Sequence, residues 1–146
     1  MQKMLIEKSE AKKICDFLIS LELRNKVSRL RNKLIKELEG ISNSFEEDRI
    51  ALCKEYSKKD EENNPIIDGE TFVIDDVMSF NNELVALQQE VVAIDIDDYD
   101  SNYEPLFTYL ESSDFDVVLS YERALLYDKL LTTWENAVSN KNTEVQ

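Results

Sequence analysis

The chain has 146 residues, with 17 Lys and Arg against 31 Asp and Glu, no His, and a net charge of −14. That length suits one domain with a modest core, and 42% hydrophobic residues argue against wholesale disorder. Without His there is no Ser-His-Asp or Cys-His catalytic system, and with only Gly40 and Gly69 there is no glycine-rich phosphate cradle.

Two Gly and two Pro are too few for a loop-rich sandwich or barrel, so composition favours helix. The first helix is predicted after Ser9 as N-cap, along EAKKICDFLISLEL, with Ile14, Phe17, Leu18 and Leu21 on one face. No apolar run before it has the form of a signal peptide, and no stretch approaches the ~18 apolar residues that span a bilayer. Next comes the strongest signal. Val27, Leu30, Leu34, Leu38, Ile41, Phe45, Leu52 and Tyr56 form one apolar stripe near a 3.6-residue period, predicting a single long helix over 24–58. Gly40 weakens it by about 1 kcal/mol without ending it. Such a helix cannot bury itself and must pack on other helices or on a second copy. Cys15 and Cys53 both lie among helix formers and read as buried thiols of a reduced, cytosolic protein.

Asn63, Asn64 and Pro65 end the long helix, and Asp68-Gly69 is a turn dipeptide. A short strand is expected at 71–74. Asp75 then caps a helix carrying Val77, Phe80, Leu84 and Leu87, followed by a second strand at 91–96 with Val92, Ile94 and Ile96 on one side. These two strands could pair as a small ribbon leaning on a helix. A helix opens at Glu104-Pro105, since Pro suits the first helical position. Ser113 or Asp114 precedes a last helix with Val117, Val118, Tyr121, Leu125, Leu131 and the packing anchor Trp134. The expected fold is mainly α (α+β): a long amphipathic helix packed with shorter helices plus a small two-stranded β element. Residues 1–138 form one domain and 139–146 a flexible tail.

Charge divides along the chain. Residues 1–39 carry ten basic and six acidic side chains, whereas residues 60–122 carry eighteen acids and no Lys or Arg. Such a field selects partners by sign; it does not set the fold. The densest acids are Asp95, Asp97, Asp98 and Asp100 in DIDDYD, with Tyr99 and Tyr103 beside them. A calcium loop starting at Asp98 fails, because Tyr103 stands where Gly is needed and Tyr109 where Glu is needed. No metal or other cofactor is expected. The bland account of the cluster is a solvated loop. The sharper one is a contact with a basic protein surface made by Asp95, Asp97, Asp98, Tyr99, Asp100 and Tyr103. Aromatics among charges are common at interfaces and also where loops pack, and Phe107 and Tyr109 share that ambiguity. Eighteen uncompensated acids also fit a nucleic-acid mimic. The basic face Arg24, Lys26, Arg29, Arg31 and Lys33 could touch nucleic acid directly, but the net charge and nearby Glu22 and Glu37 argue for pairing with the acidic middle instead.

The order of three segments resembles a known family. They are LELRNKVSRLRNKLIKEL with Leu23, Lys26, Ser28, Arg29, Arg31 and Lys33; CKEYSKKDEENNPIIDGETFVIDD; and FNNELVALQQEVVAIDI. Over roughly residues 10 to 130 the chain resembles a family of small, uncharacterised bacteriophage proteins, the domain of unknown function 1617. The resemblance implies a phage or prophage gene; it carries over no catalytic residue. With it, the expected function is that of a non-enzymatic phage accessory protein that binds and inhibits a host protein, such as a defence factor, in the host cytoplasm. The alternative is a virion or tail-assembly component that forms a homo-oligomer through the long helix.

Overall fold

The computed structural model describes residues 2–99 and 101–144, with the side chains of 101 and 140–144 left aside. It is mainly helical, with one long helix and a small two-stranded antiparallel sheet. The elements in chain order are β1 (Lys3–Glu7), a 3-10 turn (Lys8–Glu10), α1 (Ala11–Ile19), α2 (Asn25–Tyr56), β2 (Ile67–Asp68), β3 (Thr71–Phe72), α3 (Val77–Gln88), β4 (Val91–Asp95), β5 (Asp97–Asp98), β6 (Ser101–Asn102), α4 (Glu104–Glu111) and α5 (Tyr121–Glu144).

The long helix lies where the stripe predicted it, but the stripe does two different jobs. Leu34 and Leu38 are fully buried, and Val27, Leu30 and Ile41 pack half-buried around them. Beyond Ile41 the helix leaves the core. There Phe45, Leu52 and Tyr56 are only half-buried, and the covering helix α3 has no buried residue at all. Tyr56 meets Phe80 edge-on at 6.3 Å. This second half of α2, the β2–β3 hairpin and α3 form an arm. At the hairpin, Gly69 takes φ +66, a left-handed conformation that glycine adopts without steric cost.

The strands do not pair as the sequence suggested. The run at 71–74 pairs locally with Ile67–Asp68, and the run at 91–95 pairs with Lys3–Glu7. In the β1–β4 sheet Met4 faces Ile94 across the strands, and Ile6 faces Val92. Met4, Ile6 and Ile94 point into the core while Leu5 is 57% exposed, the alternation of a half-buried sheet. Helix α1 adds Ala11, Ile14, Cys15, Phe17 and Leu18 to that core. Helix α4 adds Leu106, Phe107 and Leu110, and α5 adds Leu130, Leu131, Trp134 and Ala137. Trp134 stacks on Phe107 with ring centres 4.3 Å apart, so it is the packing anchor expected of it. Cys15 and Cys53 are both free and buried.

Three helix starts move. Ser9 does not cap α1; its hydroxyl donates to the Gln88 carbonyl at 2.9 Å. Asp76, not Asp75, caps α3 by accepting the Ser79 N–H at 3.1 Å. The last helix starts at Tyr121, where Ser120 Oγ accepts the Arg123 N–H at 3.3 Å, rather than after Ser113 or Asp114. Residues 112–120 are a loop held by Phe115, which stacks on Tyr127 at 5.7 Å. α5 continues to Glu144, into the stretch 139–146 expected as a tail; neither Gly nor Pro is there to stop it.

Candidate functional site: an acidic hairpin

Ile96 is 1% exposed and anchors the chain between β4 and β5. Asp97 and Asp98 then pair antiparallel with Asn102 and Ser101, and Tyr99 follows β5 as a turn residue. Asp100 lies outside the described residues. Tyr99 is 98% exposed. Its N–H donates to the Asp98 carboxylate at 2.8 Å, which holds that carboxylate against the turn. The Asp97 carboxylate accepts the Gln2 N–H at 3.0 Å and so ties the hairpin to the sheet. Asp95 sits in β4, 3.8 Å from Lys3 Nζ, and belongs to the sheet edge more than to the tip.

Tyr103 leaves the expected surface group. It is 1% exposed, its N–H donates to the Ile96 carbonyl at 3.1 Å, and its hydroxyl donates to the Glu37 carboxylate at 2.5 Å. Burial, and then Glu37, push its phenol well above the ordinary tyrosine range. It roots the hairpin in the core and cannot reach a partner. Phe107 is likewise core, and Tyr109 is half-buried against Phe115 at 5.9 Å. Of the aromatics near the acidic run, Tyr99 alone stands on the described surface.

The basic face also changes. Arg31 turns inward, and its Nη1 donates to the carbonyls of Leu18 and Leu21 at 3.0 and 2.6 Å, capping the C-terminal end of α1. Arg24, the residue before α2, and Lys26 and Arg29 on it remain exposed. Between the basic segment and the acidic middle, Lys3 pairs with Asp95 at 3.8 Å and Lys8 with Glu90 at 2.6 Å. The Lys8 ammonium is held above its usual range chiefly by that Glu90 hydrogen bond.

Among the described residues no group of three or more Cys, Asp or Glu side chains is arranged to hold a metal ion. No described helix is long and apolar enough to cross a membrane. The sequence reading overlooked Arg123, which lies in a groove between α1 and α5. Its one advance signal was position, as the first cation after sixty-three residues without any. Comparison of the chain with protein-family models, with curated proteins and with solved structures gives no match.

Proposed function

We propose that the chain is a non-catalytic bacteriophage accessory protein that binds a basic surface on a host protein in the host cytoplasm and inhibits it. The carrying observation is Tyr99, almost wholly exposed at the tip of an acidic hairpin whose base is pinned in the core by Ile96 and Tyr103. An exposed aromatic is the kind of side chain that anchors an interface, and the acids around it steer a basic partner. The phage origin rests on the resemblance of the segments at 21–38, 53–76 and 80–96.

The test places a photo-crosslinking residue at position 99 and, as control, at the exposed Val118 in host lysate, then measures kinetics with the captured protein. Tyr99→Ala is expected to speed dissociation. Asp98→Asn is expected to slow association, with a loss that shrinks as salt shortens the Debye length from about 10 Å at 0.1 M to about 3 Å at 1 M. Equal capture at both positions, or unchanged rates in both variants, overturns the proposal.

A second reading, a virion or tail-assembly component, is favoured by the arm. Val77, Met78 and Val85 on α3 and Ile67 on its hairpin are each about half or more exposed, apolar area of the kind that assembly interfaces cover. Stoichiometric presence in purified virions supports this reading, and absence supports the inhibitor.

A further inference from the structure

Helix α3 reads VMSFNNELVALQ and is apolar on two sides. At 3.6 residues per turn Phe80, Leu84 and Leu87 fall within about 60° of one another, and these are its half-buried side chains. Phe80 meets Tyr56 of α2 from that side. The outer half of the helix carries Val77, Met78, Asn81, Asn82, Val85 and Ala86, all exposed. Met78 is 76% exposed, Val77 54% and Val85 48%. No charge stands on that outer half. Glu83 is the single charged residue in the twelve, and it lies on the flank, in a chain of which 33% is charged. A helix apolar on a second face belongs in a core or an interface.

Charge selects the occupant of that face. A basic partner, which the acidic parts of this chain attract, finds no carboxylate there to pair with. An acidic partner finds no cation. An uncharged, partly apolar face fits another of the same kind, and this one is complementary to itself. Set antiparallel about a two-fold axis between Asn81 and Asn82, it brings Met78 level with Val85 of the second copy and Val77 level with Ala86. A larger side chain meets a smaller one in each of those layers. Asn81 comes level with Asn82, and amides carry both donors and acceptors for one another. Glu83 of both copies stays outside the contact. Covering the face also gives α3 the burial that it lacks within one chain.

We propose that α3 pairs with α3 of a second copy, antiparallel and face to face, as a weak homodimer contact. The contact uses α3 and not the long helix. It names the occupant of the arm surface on which the assembly reading rests. The test uses the purified chain, so failure to pair and absence from virions are separate results. Twelve residues give a contact about 18 Å long, at the small and transient end of interfaces. The expected Kd is about 0.1 mM.

Sedimentation equilibrium of the full chain from about 10 µM to about 1 mM should show the mass rising toward that of two chains. The rise should be greater at about 1 M salt than at about 0.1 M, because salt screens the repulsion between two chains of charge −14. That sign is opposite to the one expected of the acidic hairpin and its basic partner. Met78→Glu and Val85→Glu should each weaken pairing about tenfold or more, since each places a carboxylate against its own copy. Both positions are exposed, so circular dichroism should be unchanged, and Val118→Glu, on a loop and 94% exposed, should pair as the wild type does. Asn82→Cys should form an interchain disulfide faster than Val118→Cys, the native Cys15 and Cys53 being buried. A single-chain mass through about 1 mM, pairing that weakens with salt, pairing unchanged in both glutamate variants, or equal disulfide rates at 82 and 118 overturns the proposal. A photo-crosslinker at position 82 that captures a different protein from host lysate and no second copy also overturns it.

Discussion

The phenol of Tyr103 and the carboxylate of Glu37, 66 residues apart, meet at 2.5 Å and join the root of the acidic hairpin to the middle of α2. Tyr103 is the buried partner and Glu37 the exposed one. Burial first, and then Glu37, keep the native phenol protonated through pH values where the unfolded chain, with a pKa of about 10, releases its proton. The raised folded value therefore contributes stability that is complete below about pH 9 and is lost as pH rises above about 10, by up to about 1.4 kcal/mol per unit. Tyr103→Phe should cost about 1 kcal/mol near neutrality, because Glu37 remains solvated, and should remove that alkaline slope. Urea unfolding of wild type and variant near pH 8 and pH 11 checks it, the remaining tyrosines and lysines cancelling in the difference. Parallel pH dependences would show that the phenol is not held as described.

Helix α2 should respond with opposite signs at two positions six residues apart. Leu34 is fully buried between helices, so Leu34→Ala is expected to cost about 2–4 kcal/mol. Gly40 is exposed, and a Cβ there meets nothing within 4 Å. Gly40→Ala should therefore stabilise by about 0.5–1 kcal/mol, through helix propensity and reduced freedom of the unfolded chain. Urea midpoints of both variants decide it. A destabilising Gly40→Ala would mean that something packs on that face.

The two thiols should react in a fixed order. Cys15 lies in the main core; burial, then the charges of Glu39 and Asp16, raise its pKa and deplete the reactive thiolate. Cys53 is also buried, but on the arm, beneath a helix with no buried residue of its own. Such a segment opens at lower free energy than the core. Iodoacetamide labelling followed by intact mass and peptide mapping should modify Cys53 first, and both far more slowly than in urea. Equal rates, or Cys15 leading, would contradict the division into core and arm.

The elements that were legible carry their own period. Val27 to Tyr56 announced α2, and Pro105 announced α4, because helix formation is local. Pairing is not local. Val92, Ile94 and Ile96 showed a strand without saying what lay beside it, and its partner Lys3–Glu7 alternates only at Met4 and Ile6, with Leu5 apolar on the outer face. Caps were ambiguous wherever two acceptors stand together: Asp75 and Asp76 are equally good by composition, and the turn geometry chose the second. The candidate surface was half legible. Tyr99 and Tyr103 are neighbours in sequence and chemistry, yet the turn at Tyr99 and the start of α4 put one in water and the other in the core. Arg123 was invisible because its contacts with Phe17 and Ser20 are tertiary, about a hundred residues apart in the chain, and no spacing encodes them.

The β1–β4 register has a consequence for how the chain is made. Lys3 cannot find Asp95, nor Glu7 its neighbour Val91, until the ribosome has added some ninety residues, about 5–20 s at ~5–20 residues per second. Through that interval a strand with Met4, Leu5 and Ile6 has emerged with its hydrogen-bonding edge unfilled. The charges at Lys3, Glu7 and Lys8 flank it and act as gatekeepers against pairing with a neighbouring nascent chain.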